Sequence, residues 1–543
     1  MKILVADKLA EEGLEFLKQS GVGYDVKVGL DADQLSAELP NYDGLIVRSG
    51  VKKAQLDKAL KNPGKLKAIA RAGVGVDNID LPTATSHGIL VLNTAAASTL
   101  STAEHAWALL MSLARKIPAA SKAVKGNELE WAKRSKFQGT QLAGKTMGVV
   151  GLGRIGQTVA SRALAFEMTV VGYDPFFPNA TALDGQVKLV RDFDEFLRQI
   201  DVITFHVPGG EQTRHLLNRE RLFNVAKPSL LVVNDARGDV VDEFAVAEAL
   251  KEKRIAGAAL DVFAVEPPPK DHPLFGLDNA VLTPHLGAST DEAQTAVSVE
   301  ACKAMVAFLQ HGEIRGAVNA GGIKLDLPPD EAPFAILATR IGKLLAGYAE
   351  GGYKQITLRA SGTKAPKHMQ TFLRLATVEL LREHLDTPVN VINVEHIARQ
   401  RGIELVAIHE PSPPQGLVGD IIGLRVQDGS GQSHRILGTV YADGLPRVLR
   451  FDDFNMDMIP EGQMVVIENE DRPGVIGLVG TTFGEAKVNI ADMVISRDLE
   501  HGPAKALMLL KVDSEPGEGL INTLRSKVGI NKVQCVQLPK RGA

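Results

Sequence analysis

The stretch TMGVVGLGRIG, residues 146–156, places a short apolar strand directly before a G-x-G-x-x-G turn. A run with helical apolar periodicity follows it, and a second apolar strand at 169–173 ends beside Asp174. The acid therefore follows the turn at close to the spacing of about 20 residues that is typical of dinucleotide-binding βαβ units. Because strand, turn, helix and acid occur in this order, we predict a Rossmann-type fold around this stretch.

Each glycine of the turn has a separate physical task. Gly151 permits the sharp turn, Gly153 lets the backbone approach a pyrophosphate, and Gly156 allows the helix to pack closely on the strand. Unpaired N–H groups at the start of the helix then attract the phosphate charge. The pattern predicts a bound dinucleotide, and a glycine-rich turn without any ligand is the less favoured alternative.

The acid at the end of the second strand indicates which dinucleotide binds. Asp174 would accept hydrogen bonds from the adenosine ribose and repel a 2′-phosphate, so we expect NAD rather than NADP. Arg154 and Ile155 begin the helix and are expected to border the cofactor. For Arg154, a pyrophosphate contact and a solvated surface charge are equally good explanations.

The composition is that of a globular protein and limits the classes of function. The chain has 543 residues, of which 45% are hydrophobic, and a formal net charge of −4. It contains no long basic run and no apolar stretch of about 18 residues, so neither a nucleic-acid surface nor a membrane span is expected. The two cysteines, Cys302 and Cys535, exclude a disulfide framework or a cysteine-rich metal site, and no metal is expected. An N-terminus unlike a signal peptide favours the cytoplasm.

Alternating strands and helices extend to both sides of the cofactor motif and predict an α/β fold with doubly wound parallel sheets. The last part of the chain instead has the strand and helix order of a ferredoxin-like sandwich. We expect a substrate domain at 1–99 and 290–318, a dinucleotide domain at 100–289, and two further units at 319–458 and 459–543.

Several helices are expected at the borders of these units. Ser101 and Glu104 have the spacing of a capping box, and an apolar-rich run continues from them to about residue 117. Further helices are expected at 54–61 and at 291–311. The segment 316–333 is rich in glycine, proline and charge, which is typical of a linker.

Three polar residues each follow one predicted strand of the dinucleotide domain: Arg237, Glu266 and His285. Because the carboxyl ends of parallel strands meet at one edge, all three can reach one pocket. His285 can accept the proton of a secondary alcohol while Glu266 orients its ring, and Arg237 can bind a carboxylate. The alternative without catalysis is that His285 is a core or surface histidine and that Glu266 and Arg237 form a structural ion pair. His206 also follows a strand, where packing or a cofactor contact is favoured over proton transfer.

The residues around these positions resemble the D-2-hydroxyacid dehydrogenase family. The resemblance lies in GLGRIG at 151–156, NDARG at 234–238, ALDVF at 259–263, EPP at 266–268 and PHLGAST at 284–290. It implies that Arg237, Glu266 and His285 are the catalytic residues, and that Asp261 lies near the nicotinamide carboxamide. It also implies pairing of chains into a homodimer or homotetramer.

Other motifs resemble the branch of that family that oxidises 3-phospho-D-glycerate to 3-phosphohydroxypyruvate, the first step of L-serine synthesis. They are VRS at 47–49, RAGVGVDN at 71–78 and RSKF at 134–137. The resemblance implies that Arg48 and Arg71 contact the substrate phosphate beside Gly73, and that Arg134 reaches it from a neighbouring subunit. The alternative is that Arg48 and Arg71 are surface charges at strand ends.

The C-terminal units resemble the additional domains of the long form of this branch. NEDRPGVIG at 469–477 and VNIA at 488–491 resemble an ACT domain, and VNVIN at 389–393 resembles the intervening domain. The resemblance implies a flavodoxin-like substrate domain, an α+β intervening domain, and L-serine bound between paired ACT domains. The effector would contact Asn469, Asp471 and Asn489. An ACT domain used only for pairing, or one that senses another amino acid, stays possible.

The sequence also departs from the family pattern. The loop at 93–99 lacks the usual proline, and Asp235 and Asp239 replace more common small residues beside Arg237. Two other functions therefore stay open. One is a dehydrogenase for glycerate, glyoxylate or 2-hydroxyglutarate, and the other is an NAD-sensing scaffold that needs no turnover.

Overall fold

The computed structural model of the chain describes most of its length. The described residues are 1–48, 64–126, 131–348, 352–382, 384–385, 388–429, 431–498 and 505–539. The helix expected at 54–61 lies outside them. Among the described residues, no helix combines the length and the apolar character that crossing a bilayer requires.

The first sheet is parallel and has the strand order β2-β1-β3-β4-β5. This is the flavodoxin-like order expected for the substrate domain. Its strands are β1 (Lys2–Val5), β2 (Gly23–Val26), β3 (Gly44–Val47), β4 (Ala68–Arg71) and β5 (Leu90–Asn93). Its described helices are α1 (Glu11–Gln19), α2 (Ala32–Glu38) and α3 (Leu81–Ser86), with a 3₁₀ turn at Leu39–Asn41.

The second sheet is the predicted Rossmann sheet. Its strands are β6 (Thr146–Val150), β7 (Thr169–Tyr173), β8 (Thr181–Ala182), β9 (Val187–Leu189), β10 (Val202–Phe205), β11 (Leu231–Asn234), β12 (Gly257–Leu260) and β13 (Ala280–Leu282). They lie in the order β13-β12-β11-β10-β6-β7-β9-β8, and only β8 is antiparallel to its neighbour among the described strands. The order reverses between β6 and β10, which is where a ligand crevice opens in such sheets.

The helices of this unit lie on both faces of the sheet. They are α4 (Thr99–Ala114), α5 (Ile117–Lys125), α6 (Arg154–Ala165), α7 (Phe193–Gln199), α8 (Arg219–Asn224) and α9 (Glu243–Lys251), with 3₁₀ turns at Trp131–Phe137 and Gly238–Val240. The pattern of buried side chains explains this arrangement, because the strands β10, β11 and β12 are buried along their whole length.

The start of α4 differs from the prediction. The helix begins at Thr99, and Ser101 is buried within it rather than capping it. The Ser101 hydroxyl donates to the carbonyl of Gly287 at 2.8 Å, so its polar side chain serves a tertiary contact. The helix also ends at Ala114 instead of residue 117, because Lys116 adopts a left-handed conformation and the next helix begins at Ile117, with Pro118 in its first turn.

The helix α10 (Asp291–His311) returns the chain from the Rossmann sheet to the first sheet. Thr290 caps it by accepting from the Ala293 N–H at 3.2 Å, and Gly312 ends it in a left-handed conformation. Its side chains Ala301 and Met305 belong to the same core as Ile3 and Val5 of β1. The two ends of the predicted substrate domain therefore pack together.

The remaining chain forms two mixed units. The third sheet has the order β15-β14-β16-β17-β18-β19. It comprises β14 (Tyr353–Ser361), β15 (Glu404–His409), β16 (Ile421–Asp428), β17 (Ser433–Val440), β18 (Pro446–Phe451) and β19 (Phe454–Met458), with α11 (Ala332–Ala346), a 3₁₀ turn at Ala365–His368, α12 (Met369–Arg382) and α13 (Val394–Gln400).

The fourth sheet has the ferredoxin-like order expected for the ACT unit, β21-β22-β20-β23, and is antiparallel. It comprises β20 (Gly462–Glu470), β21 (Ile490–Asp498), β22 (Lys505–Val512) and β23 (Ile530–Leu538), with α14 (Val475–Glu485) and α15 (Glu518–Arg525). One face packs on these two helices. Met464 and Leu509 on the other face join the core of the third sheet, so the two units share a hydrophobic core.

Candidate active site

The glycine turn after β6 has the shape that dinucleotide binding requires. Gly151 has a φ of +87°, and a Cβ there would lie 2.5 Å from the carbonyl oxygen of His206. A Cβ on Gly156 would lie 1.9 Å from the carbonyl oxygen of Gly151. The helix can therefore pack this closely on the turn only because residue 156 is glycine. A Cβ on Gly153 would have open space around it. The turn therefore leaves room for a pyrophosphate at the start of α6, and the residues present fit NAD.

The residues around the turn occupy three different environments. Asp174 accepts from the Leu152 N–H at 2.9 Å and from the Phe176 N–H at 2.9 Å, so its carboxylate also fixes the glycine turn. Arg154 is exposed in the first turn of α6, and Ile155 packs partly against the core. Arg154 thus keeps its side chain available at the mouth of the crevice.

His285 and Glu266 form the expected pair. Nδ1 of His285 lies 2.8 Å from Oε2 of Glu266, and both side chains are partly exposed to the crevice. The other carboxylate oxygen of Glu266 accepts from the Phe263 N–H at 3.1 Å. Burial raises the pKa of Glu266, but the hydrogen bonds from His285 and Phe263 outweigh it and hold the pKa below its usual value. The pair is a carboxylate that orients an imidazole.

Asp261 lies beneath this pair and organises the loop that carries His285. Its fully buried carboxylate accepts from the Thr283 hydroxyl at 2.5 Å and from the N–H groups of Leu286 and Gly287 at 2.8 and 2.9 Å. Burial raises the pKa of Asp261, but these bonds and His105 lower it to about 2. The Asp261 carboxylate therefore fixes the backbone of the loop that carries His285, and its position near the nicotinamide carboxamide stays a prediction.

His105 is a site residue that the sequence analysis missed. Its Nε2 lies 3.1 Å from Oδ1 of Asp261, and this hydrogen bond raises the pKa of His105. The residue projects from α4, which no catalytic motif marks, so only the packing of α4 on the sheet brings it to the site.

The arginine cluster lies where the first sheet faces the second. Arg237 donates through Nε to Oδ2 of Asp77 at 2.6 Å and through Nη1 to the carbonyl of Ala236 at 2.6 Å. Burial lowers the pKa of Arg71, and the charges of Arg237 and Arg48 lower it further. The ion pair of Arg237 with Asp77 joins the two sheets, and Asp77 was not predicted.

Glycines make room for these guanidinium groups. A Cβ on Gly73 would lie 1.9 Å from Nη1 of Arg71, and a Cβ on Gly75 would lie 1.7 Å from Nη2 of Arg237. A Cβ on Gly238 would lie 1.9 Å from the carbonyl carbon of Phe263, so the segment after Arg237 touches the loop that holds Glu266. The cationic cluster and the His285–Glu266 pair therefore border the same crevice.

Arg134 lies elsewhere in the single chain. It is exposed in the 3₁₀ turn Trp131–Phe137 and lines a surface cavity of about 610 Å³ with Met111, Arg115 and Phe166. Its reach into the site of a neighbouring subunit stays a prediction.

His206 is enclosed at the end of β10. Its ring contacts Thr204, with Nε2 2.9 Å from the hydroxyl, and Nδ1 lies 3.5 Å from Asp235. Burial lowers the pKa of His206 to about 3, so the ring is neutral near pH 7. Its carbonyl faces the glycine turn, as described above.

The three expected effector residues are not adjacent in one chain. Asn469 is buried at the end of β20, and its side-chain oxygen has no hydrogen-bond partner among the described residues. Asp471 pairs with Arg497 at 3.3 Å. Asn489 precedes β21 and donates to Asp513 at 2.7 Å. Strand pairing places Asn469 level with Arg497, at the end of the sheet opposite Asn489.

Within the described ranges, no group of three or more His, Cys, Asp or Glu side chains is placed to hold a metal ion.

The chain matches three family models in order. The model of the D-isomer specific 2-hydroxyacid dehydrogenase NAD-binding domain matches residues 107–287. The D-3-phosphoglycerate dehydrogenase intervening domain matches 332–452, and the ACT domain matches 463–529. These matches agree with the dinucleotide, intervening and ACT units expected from the sequence.

The D-3-phosphoglycerate dehydrogenase of Archaeoglobus fulgidus is 39% identical to this chain and covers 99% of it, over 100% of its own length. The chain belongs to the D-3-phosphoglycerate dehydrogenase family. The member of this family from Methanocaldococcus jannaschii is 37% identical and also covers 99% of this chain, over 100% of its own length. A crystal structure of NAD-dependent formate dehydrogenase from Staphylococcus aureus in complex with NAD is 29% identical, with a TM-score of 0.52. It covers 59% of this chain and 99% of its own chain.

Proposed function

We propose that the chain oxidises 3-phospho-D-glycerate to 3-phosphohydroxypyruvate with NAD, as the first step of L-serine synthesis. The observation that carries the proposal is the cluster of Arg48, Arg71 and Arg237 at the crevice that also holds His285 and Glu266. A phosphate carries a charge of about −2 and the substrate carboxylate adds one more. Guanidinium groups bind both anions well, and a carboxylate alone would not need all three.

The residues of this chain have distinct tasks in the reaction. Arg237 would hold the carboxylate, exchanging its contact with Asp77 for the substrate, while Arg71 and Arg48 would hold the phosphate. His285 would accept the hydroxyl proton, and Glu266 would stabilise the imidazolium that forms. A bound NAD would supply the acceptor for the hydride that leaves C2. Asp261 fixes the loop in which the base lies.

The test compares three substrates by the absorbance of NADH at alkaline pH: 3-phosphoglycerate, D-glycerate and 2-hydroxyglutarate. We expect turnover of 3-phosphoglycerate. Arg71→Met should lower kcat/KM for it by roughly 10- to 100-fold, because a charge-assisted hydrogen bond is lost, and should change D-glycerate oxidation far less. Arg399→Met removes an exposed arginine of α13 and serves as the matched control.

Other outcomes would identify the alternatives. If Arg71→Met lowered kcat/KM equally for phosphorylated and unphosphorylated acids, the result would favour a different 2-hydroxyacid dehydrogenase. NAD binding without turnover of any substrate would favour an NAD-sensing scaffold.

We also propose that L-serine binds between the ACT domains of two chains, and that the protein is a homodimer or homotetramer. The opposite positions of Asn469 and Asn489 support this, because antiparallel pairing of β21 with its copy would bring Asn489 of one chain toward Asn469 of the other. Size-exclusion chromatography with light scattering would measure the oligomer.

We place the protein in the cytoplasm, since Cys302 and Cys535 are both free thiols. Cell fractionation would test this location.

A further inference from the structure

Asp235 is a buried acid that the mechanism above does not use. It directly follows β11, is 6% exposed, and neither of its carboxyl oxygens has a hydrogen-bond partner among the described residues. Buried carboxyl groups nearly always have such partners, because an unpaired one loses its hydration without compensation. The position is therefore costly in the ligand-free protein and points to a missing interaction.

The groups that face Asp235 come from each neighbouring element. From β10, Nδ1 of His206 lies 3.5 Å away. From β12, the negative charge of Asp261 raises the pKa of Asp235, and from α4 the charge of His105 lowers it. On its own segment, Arg237 is turned toward Asp77 of the other sheet. Burial has the largest effect, and together with the charge of Asp261 it outweighs His105 and raises the pKa of Asp235 to about 8.

The order of the strands would bring the reacting ring of a bound dinucleotide near this acid. Asp174 follows β7 and the glycine turn follows β6, while Glu266 and His285 follow β12 and β13. A dinucleotide that extends from Asp174 to the catalytic pair must cross the ends of β10 and β11, each step being about 4.8 Å. The nicotinamide end of a bound dinucleotide would therefore lie over the carboxyl edge that His206, Asp235 and Asp261 form.

We propose that Asp235 senses the charge of the nicotinamide ring: its carboxyl group keeps a proton while the site is empty or holds NADH, and releases that proton to solvent when NAD⁺ binds. The oxidised ring carries a positive charge and the reduced ring does not. A cation near an unpaired carboxyl group favours the carboxylate, and a neutral ring leaves the acid protonated. The inference rests on NAD binding at the glycine turn and not on the identity of the substrate.

Isothermal titration calorimetry of the full-length protein tests this without turnover. NAD⁺ and NADH are titrated separately at pH 8, in two buffers of different ionisation enthalpy, to count the protons released. In the wild type we expect NAD⁺ to release roughly half a proton per site and NADH to release none. Asp235→Asn should bind both forms without release. Asp239→Asn removes an acid from the same turn and should release protons as the wild type does.

The wild type alone provides a second measurement if Asp235→Asn does not fold. As the pH rises toward 8, its Kd for NAD⁺ should fall by up to about tenfold per unit of pH, and above pH 8 it should level off. The Kd for NADH should change little over the same range. Equal proton release with NAD⁺ and NADH would overturn the proposal. Unchanged release in Asp235→Asn would also overturn it, because the proton would then come from another group. Failure of NAD⁺ to bind would overturn this proposal and the proposed function, whereas failure to oxidise 3-phosphoglycerate would affect only the latter.

Discussion

At the scale of single residues, His285 is held through its ring and through its backbone. Glu266 accepts from the ring, and the His285 N–H donates to the carbonyl of Asp261 at 2.8 Å. The carboxylate of Asp261 then holds the next two N–H groups. His285 has a φ of +56°, a backbone conformation that residues other than glycine rarely adopt, and these hydrogen bonds keep it there.

Glu266→Gln is expected to lower kcat by roughly 100-fold with little change in KM. The amide keeps the shape of the side chain but cannot stabilise the positive charge on His285 as it accepts a proton. Steady-state kinetics would measure this. Glu248→Gln makes the same chemical change in an exposed pair with Arg219 and should leave kcat unchanged. A kcat for Glu266→Gln within twofold of the wild type would contradict the assigned role.

We also expect Asp235 to make the stability of the protein depend on pH. Its pKa is about 8 in the folded chain, above the ordinary value of 3.8, so the folded state holds a proton that the unfolded state has lost between these values. The stability that this proton supplies is fully present below pH 3.8 and is lost as pH rises through 8.

From this we expect the contribution of Asp235 to lower the free energy of unfolding by up to about 1.4 kcal/mol per unit of pH between pH 5 and 8. Asp235→Asn should remove that part of the slope, and Asp239→Asn should keep it. Urea unfolding at pH 5, 6, 7 and 8 would measure the three slopes. An identical slope in the wild type and Asp235→Asn would show that the acid does not titrate in this range.

At the scale of the elements, the glycines of the βαβ unit lie in different surroundings. The backbone of Gly151 blocks any side chain at Gly156, whereas open space surrounds Gly153. Gly156 is therefore required for packing of the helix on the turn, whereas Gly153 is expected to leave space for the ligand. The sequence motif does not distinguish these two reasons.

Gly156→Ala is expected to destabilise the protein by about 1–3 kcal/mol, because strand and helix must separate. Gly153→Ala should leave the free energy of unfolding within about 0.5 kcal/mol of the wild type, yet raise the Kd for NAD by roughly tenfold, because the methyl group occupies space needed by the pyrophosphate. Thermal unfolding and calorimetric NAD binding would separate the two effects. Tight NAD binding by a stable Gly153→Ala protein would contradict the predicted cofactor position.

At the scale of the whole molecule, the shared core couples the ACT unit to the intervening unit. Met464 and Leu509 of the ACT sheet pack with Phe451 and Met458 of the preceding unit. The intervening unit in turn contacts the substrate domain, where the Asn390 side chain donates to the carbonyl of Gly88 at 2.9 Å. A continuous set of contacts therefore links the ACT sheet to the first sheet.

A mixing experiment tests the effector site between chains. Asn469→Ala and Asn489→Ala should each lose inhibition by L-serine, because each loses one side of every site. Equal amounts of the two variants, mixed and allowed to exchange subunits, should recover part of the inhibition, since each mixed pair contains one intact site. Asn489→Ala mixed with the double variant contains none and is the control. Absence of recovery after proven exchange would exclude a site shared between chains.

Features that depend on neighbouring residues along the chain could be predicted from the sequence. The glycine turn, its strand and its acid follow one another within one βαβ unit, so their spacing indicated the fold and the cofactor. Arg237, Glu266 and His285 were found because each follows a recognisable strand, and the carboxyl ends of parallel strands share an edge. The pairing of His285 with Glu266 in the structure agrees with that expectation.

Features that depend on distant segments follow instead from how the folded chain packs. His105 reaches Asp261 from another element, Asp77 reaches Arg237 from another sheet, and Ser101 leaves its expected capping role for a contact with Gly287. The isolation of Asp235 likewise arises only when three strands and a helix close around it. Local sequence patterns carry short-range backbone preferences, whereas burial and the pKa of a side chain depend on every element packed around it.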